Sequence, residues 1–426
     1  MFLFFVNVII TEMNKQIPQV LKGFRDFLPA DMAVRNFVVK TLRETFEKFG
    51  FEPLETPALE YGETIMGKYG DEADKLVYQF MDNGERKVAL RYDLTVPTAR
   101  VLANYQDLVK PFKRYQIQSV WRADKPQKGR YREFTQCDID TFGASNPLSD
   151  AEIIQVIYES LKALKIPEFV ININSRQVLF TIMEKSGIEK EKWLTVIQTL
   201  DKLEKIGKEN VESELTEKKS LTKEQVKKIF ELLQDAEPDI YLNDVLKIIE
   251  KLGVPKENVK FLPTLSRGLD YYTGPIFEVT VKTASIGSVA GGGRYDELIG
   301  TFTGQGMPAV GTTLGLDRLC DVITELKLIE ISTTQTRVLV TIFSPELFDK
   351  SVEITKQLRE QGINTELYLD LNAKLEKQLK YADRKGIPYA IIIGPEEAEK
   401  NTIKLKDLQK QNQQEVTKSG LLTLLA

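Results

Sequence analysis

Not one of the 426 residues of this chain is histidine. That absence excludes a Ser-His-Asp triad, an imidazole metal ligand and an imidazole general base. Any chemistry must fall to arginine, lysine, carboxylates, tyrosine, backbone amides or a bound metal. Cysteine is almost as scarce. Cys137 and Cys320 stand far apart and in no metal-ligand spacing, which rules out a disulfide scaffold or a zinc ribbon and fits a reducing, cytoplasmic setting. No GxxxxGK[ST] run occurs, so a Walker-type phosphate loop is not expected. The apolar start MFLFFVNVII is too short to span a bilayer and lacks the basic flank and cleavage site of a secretory signal. No membrane association is expected, and Met13 is read as the alternative start. The formal net charge of -4 gives no bulk sign of nucleic-acid binding, so any such surface must be a local patch.

What is present is a globular composition, 42% hydrophobic and 28% charged, in a chain too long for one ordinary core. Residues 1–22 read as an N-terminal extension. Apolar residues at Val34, Phe37, Val38, Leu42, Phe46 and Phe49 then predict an amphipathic helix ended by Gly50. Short strand-like runs continue to about residue 143, and a second helix is expected near Asp150, after the Asn146-Pro147 break. Residues 176–260 are rich in Lys, Glu and Leu, with helical spacing in Trp193–Ile206 and Val226–Leu233. They are expected to form a helical insertion between two parts of one larger domain, 23–175 and 261–330. After a polar linker at Ile331–Gln335, residues 336–426 alternate strand and helix: Arg337–Phe343, Leu347–Gln361, Asn364–Tyr368, Lys374–Arg384 and Tyr389–Ile393. That pattern reads as a separate α/β domain.

Four segments carry chemical information. In Lys113–Gly143 two strands are joined by a loop near Pro126–Arg130. Strand parity puts Gln116, Gln118 and Arg122 on one face, and Gln136, Asp138 and Asp140 on one face of the partner strand. Such a polar face either meets solvent or lines a ligand site. The loop adds Lys125, Lys128, Arg130 and Arg132, a cluster suited to phosphates. Ser266–Glu278 sets Arg267 beside Tyr271 and Tyr272, mixing a bidentate anion donor with ring hydroxyls; a packed hairpin is the plainer alternative. Ala290–Tyr295, AGGGRY, is a glycine run of the kind needed where backbone approaches something closely, or a simple bulge. Pro308–Leu319 runs a glycine-containing strand into a helix whose first turn holds Asp317 and Arg318, near helix amides that suit a phosphate tail.

Three segments resemble the signature motifs of class II aminoacyl-tRNA synthetases: Phe51–Leu59 the first motif, Val120–Asp140 the second and Gly311–Leu319 the third. RGLDYYTG at Arg267–Gly274 and GGRYD at Gly292–Asp296 resemble the two histidine-specific segments of the histidyl-tRNA synthetases. The resemblance runs from about Gly23 to the C-terminus in the family's domain order. It implies an α+β catalytic domain, an antiparallel sheet flanked by helices and interrupted by a helical insertion, followed by a C-terminal α/β anticodon-binding domain. The implied reaction is ATP-dependent activation of L-histidine to histidyl-adenylate and transfer to the 3' end of tRNA(His), by a homodimer with Pro57 at its interface. Arg122 and Arg267 match the arginines at the ATP α-phosphate, Arg130 the ATP-contacting loop arginine and Arg318 the arginine at the γ-phosphate. Mg²⁺ on the phosphates is implied, with no dedicated metal motif in the sequence and no metal ligands expected. Asp93, Thr95 and Gln136 match residues that hold the α-ammonium group. Asp140, Tyr271, Tyr272 and Tyr295, together with Arg267, match the histidine pocket. Aspartates stand at 93 and 140 where many bacterial members carry glutamate. The basic run Lys374, Lys377, Lys380, Arg384 and Lys385 is expected to contact tRNA phosphates. The rival family pattern is the histidine-sensing regulatory subunit of ATP phosphoribosyltransferase, which shares the catalytic fold. It typically lacks the last domain and the adenylation arginines, whereas this chain has both. A synthetase-like tRNA sensor fused to a kinase is weaker still, since no kinase segment is present.

Overall fold

The computed structural model describes residues 18–68, 74–127, 129–267, 271–284, 286–330 and 334–425. Met13, Lys128, part of the linker and residues 268–270 of the RGLDYYTG segment lie outside them.

The first helix, Pro29–Lys48, follows its sequence pattern. Pro29 opens it, the Asp31 carboxylate accepts from the Leu28 amide at 3.1 Å, and Gly50 takes a positive φ just beyond the end. Val34, Val38, Leu42 and Phe46 are buried along one stripe, each contributing about 1.5–3 kcal/mol.

That stripe packs on a large sheet. The strands of the first half are β1 (Glu52–Pro53), β2 (Leu59–Tyr61), β3 (Gln79–Met81), β4 (Lys87–Leu90), β5 (Phe112–Trp121), β6 (Glu133–Phe142) and β7 (Phe169–Ser175). Those that follow are β8 (Val259–Phe261), β9 (Pro275–Val281), β10 (Ala290–Arg294) and β11 (Ala309–Gly315). Eight of them form one sheet in the order β1-β5-β6-β11-β10-β9-β7-β8, while β2, β4 and β3 make a small separate sheet. The large sheet is antiparallel throughout its middle, and only its edge pairs, β1 with β5 and β7 with β8, run parallel. The register sets Asp140 opposite Arg114 on one side and Gly311 on the other. Strands distant in sequence thus supply adjacent floor positions.

Two expectations for the residues before 150 need correction. The stretch up to residue 143 is not only strands, because Thr95–Asn104 is a helix. Its Pro97 sits in the first turn, where a missing N–H breaks no intrahelical bond, and Asp93 accepts from the Val96 amide at 3.0 Å. The next helix begins at Pro147 rather than near Asp150, because the Asn146 side chain caps the Leu148 amide and Pro147 favours the first helical position.

Within 176–260 the helices are Arg176–Lys185, Trp193–Leu200, Leu203–Ile206, Lys208–Ser213, Lys223–Gln234 and Ile240–Lys251, with a π-helical turn at Glu214–Lys218. The helix expected across Trp193–Ile206 is broken at Asp201. These helices divide between two cores. Val178, Leu179, Val196, Ile197, Ile229 and Leu233 share a cluster with Val96, Tyr272 and Tyr295. Leu242, Val245 and Ile249 belong instead to the cluster of Leu42, Phe46, Ile153 and Ile157. The last helix of the stretch is therefore a wall of the main domain, and β8 closes the edge of the main sheet.

The C-terminal unit has a five-stranded sheet in which β12 (Val338–Val340) lies between β13 (Thr365–Leu367) and β14 (Tyr389–Ile392), parallel to both. An antiparallel extension, β15 (Ile403–Asp407) and β16 (Asn412–Val416), follows, and then helix Lys418–Leu425. Val338, Val340, Ile354, Leu358, Ile391 and Leu421 form its own core.

Candidate active site

A cavity of about 530 Å³ lies over β6, β11 and β10, and one end of it is cationic. Arg122, just beyond β5, donates from Nε to the Tyr92 carbonyl at 3.1 Å and stands over the rings of Tyr92 and Phe134. Arg130, on the β5–β6 loop, pairs with Asp124 at 2.7 Å and keeps half its side chain exposed. Arg318 leaves the first turn of helix Leu316–Glu325 and donates to the carbonyls of Gly129 and Ser288. Arg267 lies 3.7 Å from Glu278. Burial lowers the Arg318 pKa, Glu278 opposes the shift, and the charges of Arg130, Arg122 and Arg267 add to it. Four guanidinium groups close enough to repel one another suit a polyanion.

The other end is a small polar chamber. Arg114 is fully buried on β5 and pairs with Asp140 at 2.6 Å, with Asp138 at 3.9 Å. Tyr295 donates its hydroxyl to the second oxygen of Asp140. Burial, and then the Asp140 charge, push the Tyr295 phenol well above its ordinary range, so it stays a donor. Gln136 donates to Thr313 Oγ1 at 3.1 Å. Gln136 Oε1 and Asp138 Oδ1 are buried without a hydrogen-bond partner among the described residues, which leaves two acceptors for a ligand's N–H groups. Asp93 and Thr95, at the start of the Thr95–Asn104 helix, complete one wall. Tyr271 packs its ring 4.8 Å from Tyr272 and 5.6 Å from Tyr295 on the other.

The glycine run has a specific steric purpose. A Cβ on Gly291 would lie 1.8 Å from an Arg267 guanidinium nitrogen, and one on Gly292 would lie 2.0 Å from the Gly311 carbonyl oxygen. A Cβ on Gly311 would lie 1.8 Å from an Asp140 carboxylate oxygen. The floor is bare backbone because charged side chains lie directly on it.

Arg122, Arg130, Arg267, Arg318, Asp93, Thr95, Gln136, Asp140, Tyr271, Tyr272 and Tyr295 all line this one cavity. Gln116 and Gln118 do not. They bond to Thr56, Thr98 and Arg91 in a buried network behind the chamber. Of the loop cations, Lys125 is exposed away from the cavity, and Arg132 braces the loop through the Asp124 and Lys22 carbonyls. Arg294 of the GGRYD segment likewise turns away, into a buried pair with Asp150. Pro57 is exposed beside Leu59 and Tyr61 in a separate apolar groove. Arg114 is a site residue that the sequence reading does not single out, although strand parity places it with Gln116 and Gln118 and register places it opposite Asp140.

Asp138 gives a pH signature. Burial raises its pKa from 3.8 to about 7, Arg114 opposes this, and Asp140 adds to it. Below the unfolded value both states hold the proton and there is no penalty. As pH rises through this window the unfolded chain releases a proton that the folded chain retains, so stability is lost. Asp138→Asn removes that loss. Its melting temperature relative to the unsubstituted chain is expected to rise between about pH 5 and about pH 8. A difference that stays constant across that range in circular-dichroism melts would refute the assignment.

An antiparallel sheet bearing a cavity with a cluster of arginines at one end and a buried polar chamber at the other is the architecture of the catalytic domain of a class II aminoacyl-tRNA synthetase. Comparison with known proteins narrows this. The histidyl-tRNA synthetase family model matches residues 23–319, and the anticodon binding domain model matches 337–426. The histidine–tRNA ligase of Cytophaga hutchinsonii is 42% identical, covering 94% of this chain and 97% of that protein. That of Rhodopirellula baltica is also 42% identical, over 94% and 96%. The crystal structure of histidyl-tRNA synthetase from Nostoc superposes with a TM-score of 0.82 at 33% identity, covering 96% of this chain and 98% of that one. The chain belongs to the histidyl-tRNA synthetase family. It is an aminoacyl-tRNA ligase that uses ATP to attach histidine to tRNA(His).

Proposed function

We propose that the arginine end of the cavity holds ATP and that the polar chamber holds histidine. The carrying observation is the Arg114–Asp140–Tyr295 chain beside two unpartnered acceptors, a constellation that fits an ammonium group and an imidazole. Arg122 and Arg267 engage the α-phosphate, Arg130 the triphosphate near the loop, and Arg318 the γ-phosphate. The histidine carboxylate attacks the α-phosphorus in line, the bond to the bridging oxygen breaks, and pyrophosphate leaves. Two guanidinium forks are placed to meet the charge that grows on the phosphoryl oxygens. The attacking carboxylate is already ionised, so this step requires no general base. A chain without histidine loses nothing by it.

Asp93, Thr95 and Gln136 receive the α-ammonium group. Asp140 and the phenols of Tyr271, Tyr272 and Tyr295 engage the imidazole nitrogens. An amino acid that cannot hydrogen-bond there leaves buried polar groups unpaired, which is the costly outcome that gives discrimination. Mg²⁺ is assigned to the ATP phosphates rather than to the protein. Mg²⁺ commonly arrives on its phosphates and keeps several waters.

The C-terminal domain presents Lys374, Lys377, Lys380, Arg384 and Lys385 around the T-shaped pair Tyr368–Tyr381, a surface suited to nucleotide phosphates and bases. Lys377, Lys380 and Lys385 are also paired with Asp370, Glu376 and Glu366, which reduces the net positive field. The exposed Pro57, Leu59 and Tyr61 groove is assigned to a homodimer interface. Sedimentation equilibrium at a single chain mass would exclude it. No helix among the described residues is long and apolar enough to cross a membrane, and we assign the enzyme to the cytosol.

The direct test is ATP–pyrophosphate exchange with each of the twenty amino acids. Exchange driven by histidine alone is expected. Histidine binding without exchange would refute the placement of ATP and histidine at the two ends of this cavity.

A further inference from the structure

We infer that Asp201, at the broken end of an insertion helix, is a positioning residue for Arg267. The inference rests on Arg267 acting at the ATP α-phosphate. Arg267 takes a positive φ of 55°, a left-handed conformation uncommon for a residue with a side chain. Both of its backbone polar groups are held by side chains of the 176–260 stretch. Its N–H donates to Asp201 Oδ1 at 3.0 Å, and its carbonyl accepts from the Arg176 guanidinium at 3.1 Å. The same Asp201 oxygen accepts from the hydroxyl of Ser266 at 3.1 Å. Asp201 follows helix Trp193–Leu200, whose Val196, Ile197 and Leu200 are packed into the core behind the chamber. Arg176 opens helix Arg176–Lys185 and is almost fully buried.

The consequence is geometric. The left-handed turn sends the Arg267 side chain across the bare backbone of Gly291, toward Glu278 and the cationic end of the cavity. Relaxation of Arg267 to an ordinary φ would redirect the guanidinium. Asp201 does not line the cavity. It acts through the Arg267 backbone, and the insertion thereby helps to build the adenylation site.

The test is a double-mutant cycle in pyrophosphate exchange on the full chain, using Asp201→Ala, Arg267→Ala and the pair. Asp201→Ala is expected to lower kcat by about 10–100-fold, the scale of a displacement near 1 Å, with KM for histidine within about 2-fold of the unsubstituted enzyme. In the Arg267→Ala background the same change should cost less than about 2-fold, because the group it positions is gone. Asp201→Asn, which keeps an oxygen acceptor, should recover kcat to within about 3-fold. If Asp201→Ala does not fold, Asp201→Ser, too short to reach the Arg267 amide, takes its place in the cycle. Equal fold losses with and without Arg267, or full activity of the Ala or Ser variant, would overturn the inference. If Arg267→Ala itself exchanges normally, the fault lies with the α-phosphate reading and not with Asp201 alone.

Discussion

Arg267→Ala is expected to lower histidine-dependent pyrophosphate exchange by about 10³-fold, mostly in kcat. Removing one preorganised donor to a developing anion costs about 10²–10³-fold in comparable sites, and Arg267 presents a two-pronged donor where Lys could offer only a point charge. The chamber proposed for the amino acid is lined by Asp140, Tyr295 and Gln136, so KM for histidine should change little. Arg267→Lys restores charge without the fork and should recover about 10-fold of the loss. Steady-state exchange in both variants decides the matter. An Ala variant that keeps a tenth or more of the activity would remove Arg267 from the chemistry.

Gly311→Ala should abolish useful histidine binding. The added Cβ would sit 1.8 Å from the Asp140 carboxylate and 2.7 Å from the Ile139 carbonyl oxygen. The carbonyl belongs to the paired β6–β11 ladder and has nowhere to go. Asp140 must therefore move, yet it is held in place by Arg114 and Tyr295. Its displacement would leave the fully buried Arg114 guanidinium with only the more distant Asp138, at 3.9 Å, where breaking a buried pair costs up to about 3–5 kcal/mol. We expect KM for histidine to rise by at least about 10²-fold while nucleotide binding is retained, because the arginine end does not depend on Asp140. Calorimetric titration with histidine and with ATP separates the two sites. Unchanged histidine affinity would mean that Asp140 does not hold the ligand.

Most residues of this cavity are legible in the amino-acid sequence alone. Gln136 and Asp140 share a face through simple strand parity, and the arginines stand inside motifs. Arg114 escapes such a reading for a physical reason. A charged residue in mid-strand reads as surface, and only its register against Asp140 reveals that it is a buried counterion. The same ambiguity affects Gln116 and Gln118. Parity gives the face, but it does not tell whether that face meets the cavity or the Thr56–Arg91 network behind it. Helix Thr95–Asn104 is hidden by Pro97, a breaker everywhere except in a first turn. The β15–β16 hairpin cannot be read from periodicity because its outer strand, NQQEV, has no apolar face to give a period. The insertion's composition is plain, but composition does not show that its final helix packs against Pro147–Ala163.

The strand order also bears on how the molecule is made. Strands β5 and β6 are complete by residue 142, yet the strand that pairs with the far side of β6 is Ala309–Gly315. On a ribosome adding about 5–20 residues per second, the intervening segment takes roughly 10–30 s to emerge. Throughout that time the nascent chain carries an open sheet edge along β6, with Asp138 and Asp140 on the same strand as the apolar Cys137 and Ile139. Those two carboxylates, the polar lining of the finished chamber, are charges of the kind that discourages an unpaired edge from pairing with its neighbours.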